Sequence, residues 1–147
     1  MPTVNGIDFD IQAFLLCDSV MRDVQTGKTA VQGIFDSVFA PSFPAIHAQM
    51  TAYFRFQFDA PPRPPIQLSL AVTNPAGLRN VSPGVPLNIQ PNLTRNEGWI
   101  NLQGLQFSQA GDYTFELLVN GLAVADYTLM VQQVGGTQAS GSGRLLN

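Results

Sequence analysis

Between Gly111 and Val131 the sequence leaves little freedom of fold. Tyr113, Phe115, Leu117 and Val119 recur at every second position, which lines one face of a β-strand and does not fit the helical period. Asn120-Gly121 follows directly, and that dipeptide favours a type I′ turn because both of its central positions need φ > 0. Leu122 to Val131 is therefore predicted to return antiparallel on Tyr113 to Val119.

The rest of the chain carries the same signature less sharply. Glycine and proline, 13 and 11 of 147 residues, separate short runs of Val, Ile, Phe, Tyr and Leu, as strands joined by turns require. No helical period is sustained. A first strand is expected over Phe14 to Val20, a turn at Gln25 to Lys28, and a second strand over Thr29 to Phe39. The longest is expected over Ile46 to Phe58, with Phe54, Phe56 and Phe58 on one face. The Pro61 to Pro65 loop interrupts the sheet, Ile66 to Thr73 resumes it up to the turn Asn74 to Gly77, and one short edge strand is expected near Leu87 to Ile89. The strand over Asn101 to Phe107 precedes the closing hairpin. The fold class read from this pattern is all-β, an immunoglobulin-like antiparallel β-sandwich of about seven to nine strands.

Length and composition set further bounds. One domain is expected over residues 1–134, followed by a Gly/Ser-rich tail over 135–147 that is dispensable for folding. Charged residues make up only 12% of the chain, about half the share usual for soluble domains. Net charge is −3 and Lys28 is the single lysine, which argues against nucleic acid as a partner. No apolar run approaches the length of a membrane span. The start MPTVNGIDFD has no secretory pattern, and the lone Cys17 has no partner for an intrachain disulfide. A cytoplasmic setting is the expectation.

Ala110-Gly111-Asp112-Tyr113 before an alternating strand resembles the tyrosine corner of immunoglobulin-like sandwiches. Phe115 occupies the place where antibody domains carry a cysteine. More broadly, Leu15 to Asp18, the segment Val31-Gln32-Gly33-Ile34-Phe35-Asp36, Phe43-Pro44, Gly111-Asp112-Tyr113 and Asn120-Gly121 resemble an uncharacterised family of small bacterial β-sandwich proteins. The likeness runs over roughly residues 10 to 132 and implies a fold but no activity.

Candidate chemistry reads as structure at each position. Gly27-Lys28-Thr29 lacks the upstream glycine and following helix of a phosphate loop, with Arg22 standing at the glycine's place, and is read as a hairpin turn. Gly141-Ser142-Gly143 is linker, not a nucleophile elbow. His47, the only histidine, pairs on paper with Cys17 as a dyad, but the reading preferred is a buried, inert Cys17 in the first strand and a solvent-near His47. One Cys and one His cannot complete a zinc site. Asp8 and Asp10 point the same way on an extended segment, yet without further acids they read as a solvated arm rather than a calcium site. Asp112 and Glu116 lie on one side of a strand but two pleats apart, and a glycosidase pair would need such groups brought together across strands. The Tyr53 to Phe58 strand is read as core rather than an RNA-stacking sheet, and the Pro61 to Pro65 run as a stiff loop rather than a polyproline ligand.

The function expected is thus a non-enzymatic structural or protein-interaction module, such as a subunit of a larger assembly, with no cofactor and no metal. Self-association through a sheet edge or apolar face is expected, with Leu122 to Val131 the weakly guarded strand. The alternative is a small-ligand or carbohydrate-binding sandwich in which Trp99, Tyr53 and Tyr127 stack.

Overall fold

The structure, a computed structural model, describes residues 2–88 and 92–134, and the backbone of Arg144 and Leu145. Its strands are β1 (Thr3–Val4), β2 (Ile7–Arg22), β3 (Thr29–Ile34), β4 (Ser37–Ala40), β5 (Ala45–Phe58), β6 (Gln67–Thr73), β7 (Arg79–Val81), β8 (Val85–Pro86), β9 (Arg95–Phe107), β10 (Gly111–Val119), β11 (Leu122–Gln133) and β12 (Arg144–Leu145). They form two sheets. The first has the order β1-β2-β5-β9 with β3 on the free side of β2; the second has the order β12-β4-β11-β10-β6-β7 with β8 beside β6.

The order is that of an immunoglobulin-like sandwich, in which β5 and β9 take the places of strands B and E, and β6, β10 and β11 those of C, F and G. Four of the twelve strands are two or three residues long, which leaves eight of substance. The pairing is antiparallel except where β4 and β12 join in parallel. The core lies between the sheets, built from Phe9, Leu16, Phe54, Phe56 and Phe58 on one side and Leu68, Leu70, Phe115, Leu117 and Leu129 on the other. Phe54, Phe56 and Phe58 are at most 3% exposed. They pack on one another and on Phe9, so the aromatic strand faces inward.

The closing hairpin forms as its sequence dictates. Asn120 and Gly121 have φ of 48° and 84°, and β11 pairs with β10 from Leu122 to Val131. Tyr113 buries its ring against Phe107, and its hydroxyl donates to the Gln109 carbonyl at 2.8 Å while accepting from the Gln109 N–H. The tyrosine corner is present.

Several expectations are corrected. Residues 7–10 are not an arm: Ile7, Phe9 and Ile11 alternate with Asp8 and Asp10, and Phe9 is fully buried opposite Phe58. This makes β2, at 16 residues, the longest strand. The strand expected over Thr29 to Phe39 is two strands in different sheets. The chain crosses at Phe35-Asp36, where Phe35 N–H donates to Leu16 O at 3.2 Å and Asp36 O accepts from Met130 N–H at 2.9 Å. The short edge strand falls at Val85–Pro86 rather than near Leu87; Ile89 lies outside the described residues, as do residues 135–143, 146 and 147. Leu122 to Leu129 is flanked on one side by β10, and β4 closes the end of β11 from Met130 to Gln133.

One further feature follows from register. Ala13, Arg55 and Glu97 lie in one row across β2, β5 and β9. Arg22 comes nine positions after Ala13, about 30 Å along a straight strand, yet its Nη2 lies 3.0 Å from Glu97 Oε1. The distal half of β2 therefore bends away from the row, and the β2–β3 hairpin folds back over the outer face of the first sheet. This cover explains why Cys17, Thr51 and Tyr53, which share that outer face, are at most 6% exposed although they lie outside the main core.

Candidate functional site

Under the hairpin tip, side chains from four strands meet at Glu97. Its Oε1 accepts from Arg22 Nη2 and from the Thr29 hydroxyl, and its Oε2 accepts from the Tyr53 hydroxyl. Burial alone would raise the Glu97 pKa, but the hydrogen bonds from Thr29, Tyr53 and Arg22, together with the Arg22 charge, hold it below the usual value. Tyr53 shifts the other way. Burial, then the bond to Glu97 and its charge, push the phenol up to about 12, with Arg55 opposing. Arg22 also lies over the Trp99 ring at 5.7 Å from its centroid. Three of the carboxylate's roughly four acceptor sites are thus engaged, and Glu97 acts as a latch that ties the four strands together.

Beside the latch a cleft of ≈ 550 Å³ runs between β9 and the segment 85–88. Its floor includes Phe54, Leu68 and Leu87, all buried. Gly98 lies opposite Phe54, and a Cβ there would come within 2.9 Å of the Phe54 ring. The aromatic ring thus fills the space a glycine leaves at the sheet edge. Three of the chain's six arginines, Arg22, Arg55 and Arg95, line the cleft against one carboxylate, Glu97. Arg95 Nε donates to Gln57 at 2.8 Å. Asn96, 5% exposed, lines the cleft, and its buried Nδ2 has no acceptor.

The cleft borders an open edge. Strand β9 is 13 residues long, and among the described residues it pairs only with β5. The Phe58 N–H donates to Thr94 O at 2.7 Å, which fixes the phase of the ladder. Alternate residues then turn their backbone groups to opposite sides. Asn96, Gly98 and Ile100 face β5, and Arg95, Glu97, Trp99 and Asn101 present theirs to the open side.

The other residues singled out by sequence fall as follows. Cys17 is buried, its Sγ 3.5 Å from Thr51 O, and burial raises its pKa against a weaker backbone contact from Ser19. His47 is not near solvent. It is 2% exposed and stacks on Phe35, and neither ring nitrogen makes a well-formed hydrogen bond. Burial lowers its pKa and contact with the Gln49 backbone restores part. Thr51, the β5 residue opposite Cys17, lies four positions from His47, about 13 Å along the strand, so no dyad forms. Glu116 pairs with Arg79 at 3.1 Å and stands apart from Asp112. Tyr127 donates to Phe35 O at 2.8 Å. Asn5 Nδ2 donates to the carbonyls of Arg63 and Pro65, which ties the proline loop to the body. Among the described residues no three of His, Cys, Asp and Glu cluster as a metal set, and no helix is long and apolar enough to cross a membrane.

Strand order, tyrosine corner and sheet-to-sheet core define an immunoglobulin-like β-sandwich. The chain belongs to DUF6941, a family of unknown function, whose match spans residues 12–132. No curated relative matches the sequence. Among solved structures, the alkylpurine DNA glycosylase AlkC of Pseudomonas fluorescens, bound to DNA containing an abasic site analogue, is similar with a TM-score of 0.53 at 11% identity. The likeness covers 86% of this chain and 31% of the glycosylase, and it concerns the fold. An immunoglobulin-like protein from Pseudomonas aeruginosa is similar at 14% identity and a TM-score of 0.39, over 84% of this chain and 96% of that one.

Proposed function

We propose that this chain is a non-enzymatic protein-interaction module, a subunit of a larger assembly, working through the open edge of its first sheet. The observation that carries the reading is the 13-residue β9, paired on one side only among the described residues. It contains no lysine and no proline, two of the residues that commonly guard such edges. The polar groups that enzymes recruit are engaged here in structure: Glu97 closes the latch, Glu116 pairs with Arg79, and Cys17 is buried. Exposed Val24, Leu78 and Ile46 add apolar surface.

The stacking reading gains less. Tyr53 is buried with its hydroxyl on Glu97, Tyr127 is tied to Phe35, and Arg22 covers the Trp99 ring. Affinity capture from the native host, followed by sedimentation of the purified chain, tests the proposal. A stoichiometric protein partner or a defined oligomer is expected. A strict monomer that captures no partner contradicts it.

A further inference from the structure

We infer that the β9 cleft is a receptor for an extended acidic segment of a partner protein, which adds to β9 as the strand this sheet lacks. The inference rests on reading the chain as an interaction module and names the partner's chemistry. In sandwiches of this order the sheet containing B and E ends on a further strand, D, beside E. Here, among the described residues, the first sheet ends at β9, and the cleft occupies the adjoining space. The backbones of Arg95, Glu97 and Trp99 face that space with no partner among the described residues, which is the arrangement an added strand satisfies.

Side-chain chemistry sets the sequence of the occupant. Residues of an added strand alternate between the two sheet faces. Those on the outer face meet Arg22, Arg55 and Arg95, whose charges outnumber that of Glu97, itself paired with Arg22, and acidic side chains match them by charge. Those on the inner face meet Leu68 and Leu87, and apolar side chains fit there. Asn96 Nδ2, buried without an acceptor, is a cost in the free protein that a carbonyl or hydroxyl of the occupant removes. The chain's own described C-terminal strand is engaged elsewhere, since Arg144–Leu145 pairs with β4 in the other sheet.

The test uses the full chain and a short peptide alternating Glu and Val, with a Gln-Val peptide as the neutral control. Binding is followed by fluorescence anisotropy and amide exchange by NMR. The acidic peptide is expected to bind roughly tenfold or more tightly than the neutral one, and to slow exchange of the Arg95, Glu97 and Trp99 amides. Arg55→Glu should abolish the preference for the acidic peptide. Trp99→Pro removes an outward N–H while leaving the β5 ladder intact, and should weaken both peptides; melting curves verify that each variant folds. Three results overturn the inference: no binding at millimolar peptide, equal affinity for the two peptides, or binding that leaves the β9 amides exchanging freely, which marks anion capture by the arginines alone. A dimer of the free chain with those amides already protected also overturns it, by making a second copy the occupant. A native partner whose capture is unaffected by Arg55→Glu and Trp99→Pro ends this inference and leaves the interaction-module reading standing.

Discussion

The two sheets end differently. In the second, the end of β11 is joined by β4, which in turn carries β12, so chain segments distant in sequence continue the sheet beyond Met130. In the first, β9 runs for 13 residues with nothing beside it among the described residues. Both strands are poor in charge, so composition does not separate them. Topology does, because the crossover at Phe35-Asp36 delivers a strand to β11 and, among the described residues, no segment is delivered to β9. The lesson is that an exposed edge is a property of chain routing, and a sequence scan for unguarded strands finds candidates without ranking them.

Substitutions on either side of this contrast sharpen it. The largest loss is expected from Phe54→Ala, which removes a ring 3% exposed that supports β9 at Gly98. Large aromatic truncations in a core cost about 3–5 kcal/mol, and the denaturant midpoint should fall accordingly. A drop near zero would mean that β9 is held without its aromatic support. Glu97→Ala comes next. It strands the buried Tyr53 hydroxyl and frees Arg22 and Thr29, for about 1–3 kcal/mol. Exchange of the β3 amides should speed up while those of β10 and β11 stay slow; parallel acceleration of both would show that the hairpin is not latched separately.

Gly121→Val tests the other hairpin. At φ of 84° a β-branched residue meets the left-handed penalty of about 1–2 kcal/mol, and an unchanged melting temperature would be inconsistent with the turn. Tyr113→Phe, losing the bond to Gln109 O, should cost about 1 kcal/mol by the same measurement.

The mildest effect is on acid stability. His47 is buried and its folded pKa lies below the usual 6.5, so the unfolded chain binds the proton more readily. Its stabilising contribution is complete above pH 6.5 and declines as pH falls through the folded value. Glu97, also lowered, contributes above its ordinary 4.5 and is lost on the acid side of that. Urea midpoints at successive pH values should decline in these two stages, and His47→Phe should remove the first. A first stage unchanged in that variant would assign it to another group.

What could be read from sequence is what is encoded locally. Asn120-Gly121 specifies its turn within two residues, and Tyr113 to Val119 declares its buried face by period two. The span of β2 was also legible, since Ile7, Phe9 and Ile11 alternate, but Asp8 and Asp10 between them suggested a solvated arm. The break between β3 and β4 has no such marker: Phe35-Asp36 contains neither glycine nor proline, and only Gly33, at φ of 69°, hints at it. The latch was invisible because Arg22, Thr29, Tyr53 and Glu97 are brought together by a folded-back hairpin across 75 positions of sequence. His47 likewise carries no local sign of its burial, to which Phe35 contributes by stacking on it from the crossover between β3 and β4.

Amide hydrogen exchange of the free chain tests the central claim, an open β9 edge, most directly. The amides of Arg95, Glu97, Trp99 and Asn101 face away from β5, and should exchange at rates close to those of an unprotected chain, while Asn96, Gly98, Ile100 and Leu102 are slow. Equal protection of the two sets, at concentrations where the chain is monomeric, would show that the edge is already covered and would contradict the account.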